Sequence, residues 1–83
     1  MLFRSTLLYF AKIREAVGTG EERIELPPVV ATVADLADWL TSQHPIFADR
    51  DRLRVAVDQV MARFDTDIRG AKEIAFFPPV TGG

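Results

Sequence analysis

A chain of 83 residues, 48% hydrophobic and 27% charged, is enough for one domain with a small core and too apolar to remain disordered. Twelve acids against ten bases leave a formal net charge of −2, with only a slight tilt between residues 1–49 and 50–83, so neither nucleic acid nor an anionic membrane is an expected partner. The absence of cysteine removes disulfides and thiolate metal sites, and the opening MLFRSTLLYF has neither the length of a membrane span nor the layout of a signal peptide, so a cytoplasmic location is expected.

Residues 2–11 are rich in strand-forming types and predict a first strand. Alternation places Phe3, Ser5, Leu7 and Tyr9 on one face, and Arg4, Thr6, Leu8 and Phe10 on the other. In AKIREAVG, Ile13, Ala16 and Val17 fall at helical spacing, and Gly18 stands where a short helix would end. Glu22 to Leu26 alternates again and predicts a return strand, halted by Pro27-Pro28.

A second helix follows, with Thr32 as N-cap and Asp35 in its first turn. Val33, Leu36, Ala37 and Leu40 form one apolar stripe, and His44-Pro45 is expected to close the helix. The segment around ADRDR reads as a solvated connection carrying Arg50, Arg52 and Arg54, with contact to an acidic partner surface as its weaker use. RVAVDQ then alternates as a strand, MARF can pair next, DTDIRG reads as a turn, and EIAFF is the last strand. Two strands, a helix and two or three further strands, with the first and last apolar on both faces, describe an α+β chain. The expected fold is a β-grasp (ubiquitin-like) mixed sheet, with one main helix packed on one face.

Several stretches imitate chemical sites and fail on inspection. Asp65-Thr66-Asp67 opens like a calcium loop, but Arg69 and Phe76 occupy positions that need oxygen ligands. Gly18-Thr19-Gly20 lacks the lysine and spacing of a phosphate loop. His44 has no nucleophile or metal-ligand context, and Trp39 sits beside the apolar stripe as an edge-of-core residue. No nucleophile, base and orienting group can be assembled, so the chain is not expected to be an enzyme, nor to bind a metal or cofactor of its own.

The ending FFPPVTGG is the informative stretch. Pro78 and Pro79 fix φ and favour an extended arm, which spans about 18–20 Å from Pro78 to Gly83. Gly82 and Gly83 have no Cβ and suit a channel too narrow for any side chain. What they would deliver is the α-carboxylate of Gly83. A partner using ATP could convert it to an acyl adenylate, and sulfide could then displace AMP to leave a thiocarboxylate. Residues 1–77 are thus expected to form the folded domain, and 78–83 its tail.

The whole chain resembles the small subunit of molybdopterin synthase, the MoaD-type ubiquitin-like sulfur carriers. The resemblance lies in AKIREAVG, in AVDQ at 56–59, and above all in EIAFFPPVTGG at 73–83. It implies a β-grasp fold and a Gly83 thiocarboxylate. It also implies an adenylylating partner of the MoeB type and a large subunit of the MoaE type, which holds the catalysis and uses the sulfur to build the dithiolene of molybdopterin. By position it implies that Phe10, Met61 and Phe77 are apolar contacts for those partners, with Pro78, Pro79, Val80 and Thr81 forming the arm they enclose. Two departures stand out: Arg69-Gly70-Ala71-Lys72 replaces an Asp-Gly-Asp-like turn, and Asp58 stands where Asn is common. A carrier feeding thiamin, cysteine or tRNA thiolation, and a protein modifier conjugated through Gly83, are the alternatives.

Overall fold

The computed structural model describes residues 4–79; Phe3 of the expected first strand, and Val80, Thr81, Gly82 and Gly83, lie outside the described residues. In chain order the elements are β1 (Arg4–Tyr9), α1 (Ala11–Val17), β2 (Glu21–Glu25), α2 (Val33–Thr41), single 3-10 turns at Pro45–Ala48 and Arg50–Arg52, β3 (Arg54–Val57), β4 (Val60–Met61) and β5 (Glu73–Phe77). The five strands form one mixed sheet in the order β2-β1-β5-β3-β4. β1 and β5 are its central pair and run parallel, while the other pairings are antiparallel. With α2 laid across one face, this is the β-grasp arrangement that the element order predicts.

Registration arranges the covered face in rows. Val55, Phe76 and Tyr9 stand side by side across β3, β5 and β1, and Val57, Ile74 and Leu7 form the next row. Beneath α2 these rows meet Val33, Leu36, Ala37 and Leu40, all buried. Each fully buried Val, Leu, Ile or Phe is worth about 1.5–3 kcal/mol over its exposed state. Phe47, supplied by the Pro45–Ala48 turn, plugs the end of the core, its ring centroid 5.1 Å from Phe76 and 6.0 Å from Tyr9. The Tyr9 hydroxyl reaches the core edge and donates to Glu22 Oε1 at 2.8 Å.

Local chemistry explains the borders. The Thr32 hydroxyl accepts the Asp35 N–H, while the Asp35 carboxylate accepts the Thr32 N–H, a reciprocal capping box that starts α2. Gly18, at φ 95°, ends α1 in the left-handed region that glycine enters without penalty.

Some expectations are corrected. The first strand stops at Tyr9, because Phe10 becomes the N-cap of α1 and Ala11 its first residue. Ala16 is exposed; only Ile13 and part of Val17 anchor α1. α2 ends at Thr41, before His44, and Pro45 instead opens the 3-10 turn. The RVAVDQ strand ends at Val57, since Asp58 and Gln59 both take positive φ and turn the chain tightly into β4. Of MARF only Met61 lies in a strand, paired beside Val60. The ADRDR region is more than a solvated loop: Leu53 is buried, and Arg50 pairs with Asp38, points a second bond at the Ala34 carbonyl and lies 5.4 Å over the Phe64 ring. DTDIRG is a turn that also contributes to the core, through buried Ile68 and a bridge between Thr32 and Asp67.

Candidate protein-docking site at the root of the arm

The face of the sheet opposite α2 carries no covering element among the described residues. Its central row runs Leu8, Ala75, Ala56, Met61 across four strands, apolar throughout. Two residues further toward the arm, Phe77 on β5 stands opposite Arg54 on β3. Phe10 extends the same row, one step beyond the Tyr9–Phe76 pair. Its N–H donates to the Phe76 carbonyl at 3.1 Å, which fixes its backbone to the end of β5. Phe10 is 49% exposed and Met61 63%, while Phe77 is half-buried. An exposed Phe, an exposed Met and a half-covered Phe on one sheet face form an apolar patch of the kind that marks protein contact.

Topology therefore brings Phe10, Met61 and Phe77 onto one face, although they are distant in sequence. Leu8 and Ala56 complete the patch and do not stand out in the sequence. Their signal is present in the alternation of LLYF and VAV, but only the register shows them side by side. The opposite end of the same face is polar: Thr6 lies between Arg23 and Glu73, and Arg4 pairs with Glu25 at 3.4 Å. The apolar character is thus confined to the half nearest the arm.

β5 is the strand that carries the arm. It is held on both sides, by β1 over Glu73–Phe76 and by β3 over Ile74–Phe77. Its start is fixed by Asp58, whose Oδ1 accepts the N–H groups of Lys72 and Glu73 at 2.9 Å each. Pro78 and Pro79, both half-buried, follow directly. The resulting geometry anchors the chain rigidly up to Phe77, then removes two backbone donors where the strand would otherwise continue.

The two departures from the family pattern fall away from the patch. Asp58 turns its carboxylate onto backbone N–H groups rather than outward. Arg69 folds back on Asp67, with Nη2 at 2.7 Å from Oδ2. That guanidinium holds the Asp67 carboxyl down at about 2. With Asp67 engaged in this way, the calcium-like DTDIRG sequence presents an ion pair rather than a ligand set. Among the described residues no group of three His, Cys, Asp or Glu side chains converges on a point that could hold a metal. Nor is any helix among them long and apolar enough to cross a membrane.

The fold defines a ubiquitin-like β-grasp protein whose last strand, β5, ends at Phe77 and runs into Pro78-Pro79 beside an apolar patch on the open sheet face. By comparison with known families, residues 7–83 match the ThiS family, and the chain belongs to it. It is 38% identical over 80 residues to the molybdopterin synthase sulfur carrier subunit of Escherichia coli K12, covering 93% of this chain and 96% of that one. It is 33% identical to the subunit of the same name from Mycobacterium tuberculosis, over 99% of this chain and all of the relative. Among solved structures, SAMP1 from Haloferax volcanii superposes with a TM-score of 0.74 at 28% identity, covering 98% of this chain and all of that one. A putative molybdopterin converting factor subunit 1 from Pyrococcus furiosus gives 0.73 at 30% identity, over 93% and 98% of the two chains.

Proposed function

We propose that this chain is the sulfur carrier subunit of a molybdopterin synthase. The observation that carries the reading is where FFPPVTGG begins: Phe76 and Phe77 lie in the central, doubly paired strand, on a sheet whose open face also carries the exposed Phe10 and Met61. The full-length similarity to molybdopterin synthase sulfur carrier subunits supplies the pathway.

In this reading the Gly83 carboxylate attacks the α-phosphorus of ATP bound by an adenylylating partner, and pyrophosphate leaves. A sulfide equivalent then adds to the acyl carbon, the bond to AMP breaks, and a thiocarboxylate remains. The large subunit of the synthase receives the arm and transfers the sulfur into the dithiolene, and catalysis resides there. The chain's own contribution is mechanical: a rigid strand, two prolines that restrict the arm, and an apolar face that orients the partner.

Intact mass spectrometry of the protein purified from its native host tests this. A mass increase equal to one O-to-S exchange, mapped to Gly83, is expected. A terminal carboxylate that stays unmodified when the adenylylating enzyme, ATP and a sulfur donor are supplied would overturn the reading. The similarity to SAMP1 of Haloferax volcanii, a small archaeal modifier protein, favours one second reading, in which Gly83 is conjugated to lysines of other proteins. Lysine-linked Gly83 adducts in the same cells would support it.

A further inference from the structure

A second feature lies on the other side of the arm's root. Between α1 and the two 3-10 turns runs a groove of about 800 Å³, with Pro78 and Pro79 forming part of its wall. Its accessible apolar surface comes from Ala11, Ile46 and those two proline rings, with the buried Ile13 packed behind them. Its charged rim has Lys12 on the α1 side and Arg52 on the other, with Asp49 the one acid among the described lining residues.

The charge here runs against that of the whole chain. Two bases and one acid line the groove, whereas the full sequence carries −2. Asp49 lies 3.6 Å from the Arg52 Nε, but both side chains are more than half exposed, so the pair neutralises little and opens easily. Lys12 makes no ion pair among the described residues. Among the described residues Arg54, opposite Phe77 on the open face, directs its guanidinium at the carbonyls of Asp51 and Leu53, and so adds a further cation near the arm's root outside the groove.

We propose that this groove receives an acidic, partly apolar segment of the protein that takes up the arm, with a carboxylate between Lys12 and Arg52 and an apolar side chain against Ile46 and the rings of Pro78 and Pro79. The inference rests on the carrier reading and specifies how the adenylylating partner is recognised. Chain length requires closeness: four residues beyond Pro79 reach at most about 14 Å, so a protein that acts on Gly83 stands against the groove wall. The composition of the groove selects the ligand. A free phosphate or a nucleic acid would leave the apolar floor unused and would meet Asp49 at the rim, whereas a mixed acidic and apolar peptide satisfies both. Recognition would then be bipartite, with apolar contacts on the open face giving affinity and the cationic groove giving orientation and rate.

The test measures binding of the full chain to the adenylylating enzyme of the same cell, from low to high salt. The variants are Lys12→Glu with Arg52→Glu, the milder Lys12→Gln with Arg52→Gln, and Phe77→Ala. All the groove changes are on exposed side chains, and a melting curve for each verifies folding. The charge reversal should weaken binding about tenfold at low salt, mainly in the association rate, and flatten the salt dependence. The glutamine pair should do the same to a lesser degree. Unchanged affinity and salt slope in both pairs, while Phe77→Ala binds more weakly, would overturn the groove and leave the carrier reading standing. So would tighter binding by the reversal, or wild-type retention on a phosphate or oligonucleotide probe that the variants lose. If the wild-type chain neither binds the enzyme nor acquires sulfur, the carrier reading itself falls, and the groove assignment with it.

Discussion

Asp58 and Glu73 are locked together in both directions: the Asp58 N–H donates to the Glu73 carbonyl at 2.8 Å, and the Asp58 carboxylate accepts the Glu73 N–H at 2.9 Å. The same oxygen also accepts from Lys72. One residue of the β3–β4 turn therefore fixes where β5 begins, and so where the arm leaves the sheet. Asp58 can do this because it tolerates its φ of 49° and its short side chain stays close to the backbone.

Asp58→Ala should therefore cost about 1–3 kcal/mol, through two N–H groups left without their acceptor and a left-handed φ imposed on alanine. Asp58→Asn should be close to neutral, because its amide oxygen has two lone pairs and asparagine accepts the same φ. Urea unfolding of both variants checks this. Equal destabilisation would show that negative charge, rather than acceptor geometry, is what the position requires.

Adjacent phenylalanines on β5 should behave in opposite ways. Phe76 is fully buried and touches Tyr9 and Phe47, so Phe76→Ala should lose about 3–5 kcal/mol. Phe77 faces the open side, so Phe77→Ala should reduce stability far less. In the proposed complexes the same change should weaken partner binding by about 2 kcal/mol, roughly thirtyfold. Phe10→Ala should follow the same pattern more mildly. Calorimetric titration beside thermal melts separates the two effects, and full affinity with a collapsed melting temperature for Phe77→Ala would contradict the face assignment.

Acid should destabilise the chain through two carboxylates near α2. Asp35 is held below its ordinary range by the backbone N–H groups of Ala31 and Thr32, and Asp67 is lowered to about 2 by the Arg69 side chain. Lowered in the folded state, both groups bind protons more readily when unfolded. Their contribution is therefore complete above the ordinary carboxyl pKa of about 4 and is lost as pH falls below it, for Asp67 towards about 2. Asp35→Asn should lower the melting temperature at neutral pH and make its decline through that window shallower. Asp67→Asn should change it less, because its ion pair is exposed and screened. Melting curves that stay parallel to wild type down to about pH 2 would exclude these two groups as the source.

Much of this architecture is legible in the sequence because local and tertiary preferences agree. The stripe of α2, the Thr32 cap and the limits of EIAFF each carry a strong periodic or capping signal, and double-sided apolarity marks β1 and β5 as central. Weaker signals mislead where tertiary contacts decide. Leu53 and Ile68 lie in charged surroundings and are buried only because the fold brings them under the sheet. Asp58-Gln59 contains no glycine, so its tight turn resembles more strand. For the candidate site, the arm and its aromatic neighbours can be read from the sequence, but Leu8 and Ala56 require the register. The cationic groove requires more still, since Lys12 and Arg52 are far apart along the chain. Sequence neighbours make Arg52 a solvated residue, with contact to an acidic partner as its weaker use; only the fold sets it across a groove from Lys12.

The arm offers the sharpest functional distinction. Gly82→Ala adds one methyl group beside the residue proposed to react, and Gly82 follows the last strand, so the melting temperature should not change. Within a partner channel shaped for bare backbone, that methyl should clash or impose a different φ, slowing both adenylylation and sulfur delivery at saturating partner. Pro78→Gly and Pro79→Gly should act otherwise. They loosen the arm at its root, so more conformational entropy is lost when the tail is threaded, and the defect should appear as weaker binding with near-normal turnover at saturation. Steady-state kinetics with the adenylylating enzyme separates a kcat effect from a KM effect. Deleting Gly83, or adding a residue after it, should abolish transfer while leaving the fold intact. Wild-type kinetics for Gly82→Ala at every step would mean that no narrow channel encloses the arm, and retained transfer after deletion of Gly83 would end its assignment as the reactive residue.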